Sequence, residues 1–208
     1  MSGGYEQIYE SLIPKLGKCD FSEIAERLAL TLHSDDALRV DFLGREYEIS
    51  SHGVNPIDGK PVDVNNRSVL AYYALSQGNG EPAFSYVQIT YFAGTVFTST
   101  NLKWMTDPLG KTFDGNYERF SETMCKLGGI LSDKQKSGCY TWFLRVLPKI
   151  PLQIVYYDGD DEFPCEIQIM FDENAASFME FECLAFLEGC LVRAMIMTAQ
   201  TGNTDGWV

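Results

Sequence analysis

No uncharged apolar run in this chain approaches the roughly 18 residues that a membrane span requires. The N-terminus also lacks a basic segment followed by an apolar one, so a secretory leader is not expected. Basic residues are scarce: 16 Lys and Arg stand against 29 Asp and Glu, for a net charge of −13. Nucleic-acid binding needs a basic stripe that displaces counterions from phosphates, and no such stripe is present. An anionic membrane surface would repel the chain for the same reason. Cys-x-x-Cys pairs are missing among the six cysteines, and with them the close thiolate spacing of zinc and iron–sulfur sites. The sequence contains no Gly-x-Ser-x-Gly elbow, no phosphate-binding loop and no Gly-x-Gly-x-x-Gly opening a helix. It also has no 20–50-residue repeat.

What is present is material for a core. Of 208 residues, 45% are hydrophobic and 22% charged, which excludes global disorder and fits one ordinary domain. The expectation is a soluble cytoplasmic protein with reduced thiols, several of them buried in apolar stretches. The charge is uneven: residues 158–208 carry 11 acids and one base, Arg193, so most of the negative charge lies in the last quarter.

Periodicity sets the expected elements. Tyr5, Ile8, Tyr9, Leu12 and Leu16 keep helical spacing, and Pro14 is expected to end or kink that helix. Asp20 and Glu23 resemble a capping box, and Phe21, Ile24, Ala25, Leu28 and Leu32 form the next helix's apolar face. His33 would close that helix. Leu38, Val40 and Phe42, then Tyr47 and Ile49, alternate around Leu43-Gly44 as a hairpin over 37–50. Residues 51–63 read as loop. Asn65 or Asn66 caps a helix carrying Val69, Leu70, Tyr73 and Ala74. Residues 84–98 favour strand, 107–110 favour loop, and Asp114 caps a helix with Tyr117, Phe120, Met124 and Leu127 that Gly128-Gly129 closes. Residues 139–147, Leu152 to Tyr156 and Ile167 to Phe171 form three strands, and Asp172 caps a short helix. A last, largely apolar helix runs from about Glu180 to Gln200. Strands cluster instead of alternating with helices. The fold class expected is therefore α+β, an antiparallel or mixed sheet with a C-terminal three-strand meander packed against several helices. It is one domain over residues 1–208, with a helical N-terminal segment, 1–35, packed on it.

Candidate chemistry is sparse. Asp158-Gly159-Asp160-Asp161-Glu162 sets four carboxylates in five positions, which repel unless solvated or bridged by a cation. Asp158, Asp160 and Glu162 have the early ligand spacing of a calcium loop, but Phe163 replaces its turn glycine and Ile169 its bidentate Glu. A polar hairpin turn explains the stretch first; a site for a divalent cation or cationic ligand is the second reading. Arg45 and Arg145 lie in or beside apolar strands, where an arginine needs an acidic partner or an anionic ligand; an internal ion pair is the leading expectation. The aromatics Tyr140, Trp142, Phe143, Tyr156 and Tyr157 read as core, or as the lining of a flat-ligand pocket. His33 and His52 have no companion at metal-ligand spacing.

Several segments together resemble the domain of unknown function 3786 family: Asp41-Phe42-Leu43-Gly44-Arg45-Glu46-Tyr47, Leu70-Ala71-Tyr72-Tyr73, Pro151-Leu152, Tyr157 through Pro164, and Phe171-Asp172 with Ala175. The resemblance covers about residues 20–200, and its most specific part is Asp161-Glu162-Phe163-Pro164 followed by Phe171-Asp172. It implies a cytoplasmic protein, mostly of anaerobic bacteria and archaea. Some members of that family are joined to cysteine-rich iron–sulfur segments and are linked to corrinoid or one-carbon metabolism. This chain lacks such a cluster, so that association does not carry over. The family supplies no catalytic residues.

The sequence therefore leads to a non-catalytic binding or accessory domain, with no cofactor and with an unknown protein or small molecule as partner. Asp158, Asp160, Asp161, Glu162, Arg45 and Arg145 are its candidate binding residues. A metal-dependent enzyme using the 158–162 carboxylates is one alternative. A homodimer joined through the apolar 183–197 stretch is the other.

Overall fold

The structure is a computed structural model that describes residues 4–93, 99–135 and 138–204, without the side chains of 99–104. Helices α1 (Gly4–Leu16) and α2 (Phe21–Leu28) open the chain. The Asp20 carboxylate caps α2 by accepting from the backbone N–H of Ser22 and Glu23. Pro14 is accommodated within the last turn of α1. The second helix is shorter than its apolar spacing suggests. Ala29 turns left-handed with φ 54° and ends it, and Leu32 and His33 belong to strand β1 (Thr31–Ser34) instead.

Strands β1, β2 (Ala37–Phe42), β3 (Arg45–Ser50) and β4 (Gly53–Pro56) form a four-stranded antiparallel meander. The expected 37–50 hairpin is its centre. Leu43 and Gly44 both take positive φ, 52° and 76°, as a tight two-residue hairpin turn requires. Gly44 is also demanded by space, since a Cβ there would lie 2.6 Å from the Lys126 carbonyl oxygen. The 51–63 segment is not wholly loop: β4 pairs with β3, Ile49 opposite Val54. Along β2 and β3, Leu38, Val40, Phe42, Tyr47 and Ile49 point into the core, as the period of two dictates.

Helix α3 (Val64–Leu75) is capped by Asp63, whose Oδ1 accepts from the Asn65 N–H at 2.8 Å; neither Asn65 nor Asn66 does this. After it come a short strand β5 (Tyr86–Gln88) and one 3₁₀ turn, Ile89–Tyr91. The strand expected over 84–98 thus shrinks to three residues, and 94–98 lie outside the described residues. Helix α4 (Ser99–Phe113) contains the 107–110 segment read as loop. Tertiary packing overrides the local breakers there. Gly110 lets α4 approach the backbone at Cys165, just before residues 166–172, so closely that a Cβ would meet the Cys165 carbonyl oxygen at 2.7 Å. Asn116, and not Asp114, caps α5 (Tyr117–Lys126) by accepting from the Arg119 N–H.

A second sheet of five strands has the order β5-β9-β8-β7-β6, with β6 (Ile130–Lys134), β7 (Cys139–Leu147), β8 (Ile150–Tyr157) and β9 (Glu166–Asp172). The late meander β7-β8-β9 is present and antiparallel, but as the middle of this larger sheet. Every pairing among the described residues is antiparallel, so the mixed-sheet option drops out and the fold is α+β. Asp172 ends β9 and accepts from the Asn174 N–H just before the 3₁₀ turn Ala175–Ser177. It also accepts from the N–H groups of Ala83 and Phe84, so a fully buried carboxylate ties the segment leading into β5 to the sheet.

Helix α6 (Phe181–Thr201) is the hub of the helical layer and packs against α3, α4 and α5. Leu184, Leu187, Leu191, Ala194 and Met195 are fully buried, so the apolar 183–197 stretch is largely covered within the chain. Two of the six cysteines, Cys165 and Cys190, are buried, and Cys125 is exposed, fewer buried thiols than the apolar context suggests. No described helix is long and apolar enough to cross a membrane.

Candidate functional site

The acidic stretch forms the exposed connection between β8 and β9. It is built as a turn. Asp160 Oδ1 accepts from the backbone N–H of Glu162 and Phe163, at 2.9 and 2.7 Å, while its own N–H donates to the Phe163 carbonyl. Those donated N–H groups hold the Asp160 carboxyl below the usual carboxylate range. Asp158 Oδ1 accepts from the Tyr156 hydroxyl at 3.0 Å. Asp161 and Glu162 are exposed. A cavity of about 250 Å³ lies nearby, between Gly110, Asp114 and Cys165, but none of the four carboxylates lines it. Among the described residues, no group of three or more His, Cys, Asp or Glu is placed to hold a metal ion.

The two arginines go different ways. Arg45 is buried on β3, and its Nη2 pairs with Asp58 Oδ1 at 2.7 Å while reaching the Lys60 carbonyl. It serves the 57–61 loop. Arg145 is exposed on the outer face of the five-stranded sheet, over the Phe143 ring, and no described carboxylate lies within ion-pair distance of it. The aromatic run divides by the strand period. Tyr140, Trp142 and Tyr156 face α5, where Tyr117 stacks on Tyr140 with ring centroids 3.5 Å apart and Phe120 fills the space between Trp142 and Tyr156. Phe143 and Tyr157 lie on the opposite, outer side.

A groove that sequence spacing did not reveal lies along the outward face of α6. Its volume is about 470 Å³, in the range of small-molecule sites. Ala185, Phe186 and Gly189 come from α6, Met105 from α4, and Asn66 from the first turn of α3. The helical repeat places residues 182, 185, 186, 189 and 193 on one stripe. At one end Arg193 pairs with Asp63, the N-cap of α3, bringing charge to an otherwise apolar wall. Cys190 sits beneath the groove, where burial pushes its thiol up to about 12 despite Arg193, so it is no nucleophile at neutral pH.

Gly189 is part of this groove's wall. A glycine in a helix interior costs about 1 kcal/mol relative to alanine. Some helical glycines are required by a neighbour's close approach, as at Gly110. At Gly189 a Cβ would meet no atom within 4 Å. The missing side chain leaves open space, and that space belongs to the groove. The only sequence signal was a lone glycine inside a strongly apolar helix.

The model of the family described as domain of unknown function (DUF3786) matches residues 20–194. The chain belongs to this family. The match spans both sheets and most of α6, including Gly189 and Arg193. No curated protein and no solved structure matches the chain.

Proposed function

We propose that this chain is a non-catalytic binding domain whose ligand is a small, mostly apolar molecule lying along α6, with one polar group at the Arg193–Asp63 pair. The observation that supports this reading is Gly189. A helix that is otherwise well packed gives up propensity at one exposed position where nothing sterically demands it, and the result is concave apolar surface. A preformed pocket with apolar walls and one charged end suits an amphipathic ligand. The buried, strongly protonated Cys190 offers no reactive group to it.

The test uses anilinonaphthalene sulfonate, a fluorophore with an apolar body and one anionic group. The folded protein is expected to bind it at one saturable site, and Gly189→Leu to abolish that binding without lowering the parent's melting temperature. Equal binding by parent and Gly189→Leu would reject the reading, as would the absence of saturable binding by the parent.

A further inference from the structure

We infer that the seam between the two sheets is a second, separate binding site, for a small anion that also carries hydrogen-bond donors. Strand β2 of the four-stranded meander meets β7 of the five-stranded sheet, and a cavity of about 450 Å³ opens where they join. Arg39 and Arg145 both line it, one from each sheet, together with His33 of β1. In a chain with 29 acids and 16 bases, a free guanidinium would ordinarily be met by a carboxylate. Arg145 meets none among the described residues. The acid in its cross-strand row, Asp172, lies two strands away and already accepts from three backbone N–H groups.

Arg39 is also under-committed. Its nearest carboxylate contact is Glu46 at 3.8 Å, its buried Nε has no partner among the described residues, and its Nη2 lies 3.1 Å from His33 Nε2. The imidazole therefore accepts from Arg39 and steadies the plane of the guanidinium. Two planar forks, one from each sheet, make a receptor for carboxylate or phosphate oxygens, because each fork can donate two parallel N–H···O bonds. The cavity is not simply basic. Asp41 and Glu46 line it too, so a bare anion would meet repulsion on one side. An anion with a hydroxyl or amino group satisfies both walls, its oxygens on the arginines and its donors on the carboxylates. The site shares no residue with the α6 groove, so either can fail without the other.

The experiment titrates the full chain with succinate, malate or inorganic phosphate at constant ionic strength, reading the arginine side-chain Nε–H resonances by NMR. Saturable shifts of Arg39 and Arg145 are expected. Malate should bind several-fold more tightly than succinate, which differs from it by one hydroxyl, and Asp41→Asn should erase much of that difference. Phosphate binding more tightly than both would assign the ligand to the phosphate class, and the reverse order to the carboxylate class. Arg145→Gln, at an exposed position, should weaken binding about tenfold or more, since a charge-assisted hydrogen bond is worth roughly 1.5–3 kcal/mol. Linear, non-saturating shifts with all three probes would overturn the inference, and so would unchanged affinity in Arg145→Gln.

Discussion

The β8–β9 corner and helix α6 make opposite use of their acids. At the corner, acids gather in solvent, and the turn itself absorbs Asp160 through two backbone N–H groups. In α6, Glu188 is 4% exposed, and its Oε2 has no partner among the described residues. A dense cluster of carboxylates in water costs little, whereas one carboxylate without water dominates its surroundings. Charge count along a chain therefore says less about energetic weight than burial does, and burial is set by the fold.

The largest expected effect follows from Glu188. Burial pushes its carboxyl from an ordinary 4.5 to about 7. The native state then holds a proton that the unfolded chain releases, so stability falls as pH rises from 4.5 through 7 and levels off above. The loss approaches ~3 kcal/mol at 1.36 kcal/mol per pH unit. Glu188→Gln should flatten that slope and be the more stable protein at pH 8, as read by urea melts across pH 5–8. A parallel pH dependence in parent and variant would show that the carboxyl is solvated.

Next in size is Gly189→Ala. With open space at its Cβ, the variant should gain about 1 kcal/mol from helix propensity. A loss of stability would mean that some close contact requires the glycine, and the groove would lose its explanation. At the corner the changes should be smallest. Asp161→Asn and Glu162→Gln should stay within about 0.5 kcal/mol of the parent, as exposed substitutions do. Millimolar calcium should leave the melting temperature unchanged, because a bound ion would raise it by mass action. A calcium-dependent rise would make the corner a cation site and bring the two regions level in functional weight.

The sequence exposed those parts of the fold that repeat with a clean period. The 37–50 hairpin, the three late strands and α6 each bury one side of a regular pattern, and all are present. Strands β1 and β6 were missed because all their residues are exposed at the sheet edges, so no alternation marks them. Helix α4 was missed because Pro108 and Gly110 look like breakers, and only its packing on the backbone at Cys165, just before β9, shows why Gly110 is there. Of the candidate residues, Arg45 and Arg145 looked alike in sequence. Only the fold separates them, by bringing the 57–61 loop over one and leaving the other at a sheet seam. The α6 groove was silent because its walls come from Asp63, Asn65 and Asn66, from Met105 and from positions between 181 and 193, and one wall residue is a glycine.

The α6 binding site is tested most directly by where an amphipathic probe sits. Met105 lines the groove, whereas Met170 is half-buried on the outer face of the five-stranded sheet. With methyl-labelled methionines, titration with anilinonaphthalene sulfonate should shift the Met105 methyl saturably and leave Met170 in place. Gly189→Leu should remove the Met105 response. A Met105 signal that stays fixed while Met170 moves would place the apolar site on the sheet and contradict the account.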